Sequence, residues 1–219
     1  MWDFLQTYGL RLSEGTLVTA AQFALASLVA CLAALSAGLG RLSRHWLVRN
    51  FAVIYIEIFR GTSLLVQLYW IFFVLPLFGL SLPKFTAGFL SVGLNVGAYG
   101  AEIVRGAILA VPRGQWEAAY ALSMSPAKRM RRIILPQAVA LMLPPWGNLM
   151  IELLKGTALV ALIAVSDLMF VAKQINGATF RSAEAFGTAL IVYYLLARFL
   201  ITPAMRGLER VMARRLGKV

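Results

Sequence analysis

Residues 16–39 run without a single charged side chain. A bilayer hydrocarbon core about 30 Å thick is crossed by about 20 consecutive apolar residues in a helix. Inside that core each peptide group must find its partner within the protein, so such a run is a membrane helix rather than a surface element. The pattern recurs along the chain. Residues 61–83, entered through residues 51–59, form a second candidate span, and residues 85–101 open a third that continues past Glu102 and Arg105. Residues 133–151 open a fourth, and residues 185–205, charged only at Arg198, make a fifth. The reading is an all-α polytopic membrane protein with about five transmembrane helices. Composition agrees, since 60% of the 219 residues are apolar and 14% are charged, against about a quarter charged in soluble domains. A soluble fold, a disordered chain and a secreted disulfide scaffold are thereby excluded. Met1, Trp2 and Asp3 lack the basic start of a signal peptide, so the first helix reads as part of the mature fold.

The net charge of +12 would suggest nucleic acid in a soluble chain. In a membrane chain it is explained by cytoplasmic loops that collect Lys and Arg, so no nucleic-acid partner is expected. Residues 41–50, 105–132 and 206–218 share one side of a five-span topology and hold 14 of the 21 basic residues. The other side holds only Arg11, Lys84, Lys173 and Arg181. The expectation is an N-terminus outside and a C-terminus in the cytoplasm, the latter an amphipathic tail with Leu208, Val211, Met212 and Leu216 opposite Arg210, Arg214 and Arg215, lying on the inner membrane surface among its lipids. One cysteine, Cys31, and one histidine, His45, leave no Cys/His metal cluster, and no cofactor is expected.

Residues 133–169 are too long for one straight span and too short for two with a loop. They hold Pro136, Pro144, Pro145, Gly147 and Gly156 beside the polar trio Asn148, Glu152 and Lys155. This reads as one broken span whose irregular backbone is buried in protein or lines a water-filled path, with Asn148, Glu152 and Lys155 as candidate substrate-path residues. A small motif of acid, two apolar residues, base and glycine occurs at Glu57–Arg60, Glu102–Arg105 and Glu152–Lys155. At i,i+3 spacing the two charges neutralise one another on one helix face, which lowers a cost of about 2.5–3.5 kcal/mol per charge near the bilayer centre. The first two pairs read as locks at the membrane boundary. Gly93 and Gly97 read as a close-packing seam.

The loop at residues 111–132 begins with a short helix presenting Trp116, Ala119 and Tyr120 on one face, with Glu117 beside it. Ser125 and Pro126 read as N-cap and first residue of a basic helix. Such a rigid protrusion can press on a cytoplasmic partner or rest on anionic headgroups. Here the residues become distinctive. Glu117, Ala118, Ala119, Ser123 and Ile134-Leu135-Pro136 resemble the EAA loop of ABC-importer permeases, EAA-x3-G-x9-I-x-LP, with Ser123 where that family has glycine. FRGTSLLVQ at 59–67, GAYGAEIVRG at 97–106, LPPWGN at 143–148 and KGTAL at 155–159 are similar to segments of the polar-amino-acid (histidine/glutamine/arginine/opine) permeases. The stretches at 94–97, 121–126, 129–137 and 148–155 are worded most like the ectoine/hydroxyectoine permeases.

The resemblance implies a single permease domain over residues 1–219 in a bacterial inner membrane, with a coupling loop at 111–135. It implies a second permease subunit, identical or sister, a dimer of cytoplasmic ATPase subunits, and an extracytoplasmic solute-binding protein. Glu117, Ala118, Ala119, Ser123, Ile134 and Pro136 would then be the ATPase-coupling residues. Two other classes are weighed against it. An ATP-independent secondary transporter or channel could use intramembrane ion pairs, yet the chain shows no inverted repeat. A membrane enzyme would need a catalytic constellation, and neither a Ser/His nor a paired-carboxylate arrangement is evident. A G-x4-GK[ST] phosphate loop is also missing, so ATP hydrolysis is expected in a partner.

Overall fold

The computed structural model describes residues 2–215. Among them all regular structure is helical. Helix α1 (Trp2–Arg41) and helix α4 (Lys84–Leu109) form the central pair. Their contact is a seam of small residues. Ala26, Ala30 and Ala34 recur every fourth position on α1 and are fully buried, facing Gly93, Gly97 and Gly100. A Cβ built on Gly93 would stand 2.8 Å from the Ala26 carbonyl oxygen, and one on Gly97 would stand 2.7 Å from the Ala33 Cβ. Apolar lipid supplies no hydrophobic force between helices, so close approach of backbones is what holds such a pair. The expected packing role of Gly93 and Gly97 is realised.

The second candidate span is a bent pair rather than one helix. Helix α2 (Trp46–Gly61) and helix α3 (Leu64–Tyr69), which runs on through a π turn and a 3-10 turn to Phe78, meet at 108°. Buried Gln67 holds the corner. Its Nε2 donates to the Phe59 carbonyl at 2.9 Å and to Thr62 Oγ1 at 2.6 Å. Asn95 Nδ2 reaches from α4 to the same Phe59 carbonyl and to Gln67 Oε1, both at 3.0 Å. The Phe59 carbonyl, freed where α2 ends, is thus satisfied inside the protein, as a membrane interior requires.

After helix α5 (Arg113–Ala121) the chain turns into α6 (Pro126–Arg129), a π turn at Met130–Ile134, helix α7 (Leu135–Thr157) and a 3-10 turn at Ala158–Ile163. This is one helical run of 38 residues. The break expected within residues 133–169 does not fall at Pro136, Pro144, Pro145, Gly147 or Gly156; all five lie inside α7. An interior proline costs roughly 3 kcal/mol, whereas opening a helix in hydrocarbon would strand several peptide groups at several kcal/mol each. The chain breaks instead at Ala164, with φ +57°, where Lys84 Nζ donates to the Ala164 carbonyl at 2.7 Å. Helix α8 (Leu168–Thr179) and helix α9 (Ser182–Leu195) follow, and a π turn leads directly into helix α10 (Thr202–Arg215). The tail therefore continues the fifth span as one helix against α7 instead of turning onto the membrane surface; Gly147 lies 3.4 Å from Met205 Cβ when given a Cβ. Leu216, part of the expected apolar face, lies outside the described residues.

Among the described residues four helical stretches are long and apolar enough to cross a bilayer, and the bent α2–α3 pair is the fifth candidate.

Candidate functional site

Two regions carry chemistry: the α5 protrusion and a cavity beside α7. In α5, Ala119 is buried while Glu117 and Ala118 face outward. Trp116 packs on a cluster containing Val111, Ile134 and Ala138. Ile134 therefore anchors the protrusion from below, Pro136 is half-buried behind it, and Ser123 is exposed at the turn. Ser123 adopts φ +49°. The Met124 N–H donates to the Ala119 carbonyl at 3.1 Å and the Ser123 N–H to the Tyr120 carbonyl at 2.8 Å. This is the Schellman ending of a helix, which puts a left-handed residue just after the cap. Serine thus occupies the conformation for which glycine is suited, and the turn forms regardless. Ser125 is the N-cap by backbone conformation, though its hydroxyl makes no capping bond.

The basic run hides one residue unlike the others. Arg129 is 7% exposed, while Lys128, Arg131 and Arg132 are solvent-facing. Its guanidinium lies 3.9 Å from the Tyr120 ring centroid and 5.7 Å from that of Trp116. The sequence reading places it in a basic helix without setting it apart from its neighbours; the spacing of Trp116 and Tyr120 on one α5 face, followed by a cation on the next helix, is the available signal.

The three acid–base motifs part company. Glu102 accepts from Arg105 Nε at 3.3 Å and also pairs with Arg41, tying α4 to the end of α1. Glu152 accepts from Lys155 Nζ at 2.8 Å. Glu57 and Arg60 form no such pair: both are exposed on α2, and Arg60 lies over the Tyr99 ring at 5.4 Å. The expected lock at Glu57–Arg60 is replaced by a cation–π contact.

Glu152 and Lys155 line a cavity of about 520 Å³ together with Asn95, Tyr99, Leu64 and Leu149. Their side chains remain 64% exposed, so their charges face open space rather than the core. Asn148 stands one turn earlier on α7 and is exposed, but it does not line this cavity. Asn95 and Tyr99, unread as site residues in the sequence, sit across from the ion pair. Lys155 also borders a second cavity of about 430 Å³ shared with Tyr193, Tyr194, Arg198 and Thr202. Among the described residues no cluster of three or more His, Cys, Asp or Glu side chains could hold a metal.

Residues 18–214 match the family model of the binding-protein-dependent transport system inner membrane component. The chain is 48% identical over 166 residues to a probable amino-acid ABC transporter permease protein of Sinorhizobium fredii, covering 73% of this chain and 70% of that protein. It is 35% identical to the L-cystine transport system permease protein of Bacillus subtilis, over 99% of this chain and 93% of the relative. With the glutamine transport system permease protein of Escherichia coli it shares 38% identity over 81% of this chain and 82% of that one. Among solved structures, a chain from the crystal structure of an amino acid ABC transporter with histidines superposes with a TM-score of 0.86 at 36% identity, covering 94% of this chain and 96% of that one. Inward-facing structures of a methionine ABC transporter share the fold, with a TM-score of 0.79 at 20% identity and 94% and 98% covered.

Proposed function

This chain belongs to the family of binding-protein-dependent transport system inner membrane components, and on that premise we propose how it takes up its solute. It is the permease subunit of an ABC importer, a multi-pass protein of the bacterial inner membrane, and a transport subunit rather than an enzyme. The proposed solutes are polar amino acids and related small zwitterions. The observation that carries this is the Glu152–Lys155 pair, open to a cavity of about 520 Å³. A carboxylate and an ammonium side by side match the two ends of a zwitterion, which can insert between them. Asn95 and Tyr99 offer polar groups across the cavity, and Asn148 lies on the approach along α7. Relatives named for glutamine and cystine transport support the amino-acid class. Ectoine, itself a zwitterion, rests on sequence wording alone.

The energy comes from a dimer of ATPase subunits in the cytoplasm, engaged through Glu117, Ala118 and Ser123 on the outer side of α5, with Ala119, Ile134 and Pro136 as its footing. A second permease subunit, identical or sister, completes the path, and an extracytoplasmic solute-binding protein delivers solute. This requires residues 111–135 on the cytoplasmic side, the N-terminus outside and residues 1–219 acting as one permease domain.

Uptake of labelled glutamine, cystine, arginine, histidine and ectoine by cells with and without the chain tests the reading. Amino-acid uptake should require the chain and stop on ATP depletion. Uptake that persists without ATP while the proton gradient is intact would move the protein to the secondary transporters. Glu152→Gln should lower uptake at least tenfold at normal expression; undiminished uptake removes Glu152 from the path. Glu117→Arg should abolish ATPase assembly, and an assembled, active complex would overturn the role of α5.

A further inference from the structure

We propose that Arg129 is a positioning residue that makes α5 and α7 one rigid lever, so that displacement of α5 reaches the cavity at Glu152 and Lys155. The inference rests on the coupling role of α5 given above and assigns the transmission to a particular side chain. α5 is only nine residues long, too short to be stable by itself. It is joined to the next helix through a turn whose Ser123 sits at φ +49°. A hinge would be expected there. The structure closes it from two sides. Arg129 places its guanidinium 3.9 Å from the Tyr120 ring and 5.7 Å from the Trp116 ring, so one cation grips both aromatic residues of the α5 face. Further along, Gln137 Nε2 donates to Gln115 Oε1 at 3.1 Å, fastening the start of α5 to α7.

The location of Arg129 matters as much as its contacts. The π turn at Met130–Ile134 begins at the next residue, and such turns inside helices often mark functional sites. Without the stack, a push on α5 would be absorbed at the Ser123 turn before it reached the π turn. With it, α5 and α6 move together, and the Gln115–Gln137 bond and the packing of Trp116 on the cluster of Ile134 and Ala138 carry the force across the π turn into α7, which runs unbroken to Thr157 and carries Glu152 and Lys155. Burial supports a dedicated role: Arg129 is 7% exposed and its Nε is buried with no hydrogen-bond acceptor among the described residues. A guanidinium so desolvated is held by the ring faces, where cation–π attraction is strongest.

The test uses the assembled importer with Cys31→Ser and a reporter thiol from Leu149→Cys, which lines the cavity. Hydrogen exchange of residues 113–124 reads the stack, and ATP-dependent change in maleimide labelling at position 149 reads the lever. Arg129→Met keeps length and removes the cation; it should speed exchange in 113–124 roughly tenfold, leave exchange in α1 and α4 unchanged, and at least halve the ATP-dependent labelling change while ATP hydrolysis continues. Arg129→Lys should recover most of both. Unchanged exchange in Arg129→Met overturns the proposal, and so does faster exchange with a full labelling response. The coupling reading fails separately: then the chain with Arg129 intact shows no ATP-dependent change at position 149.

Discussion

Ser123 is the residue where local chemistry and required geometry disagree most openly. A left-handed residue other than glycine carries about 1–2 kcal/mol of steric strain, and a β-branched one carries more. Serine bears it at φ +49° because the two Schellman hydrogen bonds and the Arg129 stack fix the turn around it. Ser123→Val should therefore destabilise the α5 turn by about 1–2 kcal/mol, seen as faster hydrogen exchange over 113–124, while Ser123→Gly stays at or below the original rate. Equal exchange in both variants would show that the turn does not depend on this backbone angle. Asp167 poses a different residue-scale question. It is fully buried as the N-cap of α8, accepting from the Phe170 N–H at 2.9 Å and from the Tyr193 hydroxyl at 3.2 Å. Burial pushes its carboxyl up to about 6, against the pull of those donors. The folded protein then binds this proton more tightly than the unfolded chain, so stability falls as pH rises from about 4 to about 6, by up to about 3 kcal/mol. Thermal melts in detergent should show Asp167→Asn losing that decline relative to the parent; parallel pH profiles would refute it. The sequence marks Ser123 as a departure because the loop motif is local. It could not mark Asp167 or Asn95, whose partners Tyr193 and Gln67 lie on other elements.

At the scale of elements, apolar runs located α1, α4 and α9 because hydropathy is additive along a helix and needs no partner. The corner between α2 and α3 was invisible to the same reading, since both arms are apolar and the feature that bends them is a pair of side-chain amides, Gln67 and Asn95, meeting across 28 positions. The prolines of α7 misled in the opposite direction: they signal a break in water, where freed peptide groups are solvated, and much less so in a span. The α1–α4 seam yields the sharpest element-level prediction. Gly97→Ala would bring its Cβ to 2.7 Å from the Ala33 Cβ, forcing the helices apart, whereas Gly106→Ala on the same helix meets nothing within 4 Å. Overpacking of this kind costs about 1–3 kcal/mol. Gly97→Ala should lower the unfolding midpoint in detergent and the yield of monodisperse protein, and Gly106→Ala should do neither. Two equally tolerated variants would mean that α1 and α4 are not held by close backbone approach.

For the whole molecule, everything functional hangs on which side of the membrane α5 occupies, and this turns on the bent pair. If α2 and α3 together cross the bilayer, the chain crosses five times, and an N-terminus outside puts α5 and the 14 basic residues of its side in the cytoplasm, as the positive-inside bias demands. If the 108° corner instead returns α3 to the side it came from, every later element changes sides: α5 would lie outside, away from ATP, and the same basic loops would be split between the two faces. Three positions separate these arrangements. In a Cys31→Ser background, single substitutions Ser81→Cys before α4, Ser125→Cys after α5 and Gly177→Cys on α8 place one thiol in each intervening exposed segment. A membrane-impermeant maleimide on intact spheroplasts should label positions 81 and 177 and spare 125 until the membrane is opened. Labelling of 125 alone is the signature of the re-entrant corner. It would remove α5 from contact with any cytoplasmic ATPase, because no rearrangement of loops carries a nine-residue helix that begins at Arg113, together with the Lys128 and Arg129 of α6, across the hydrocarbon core.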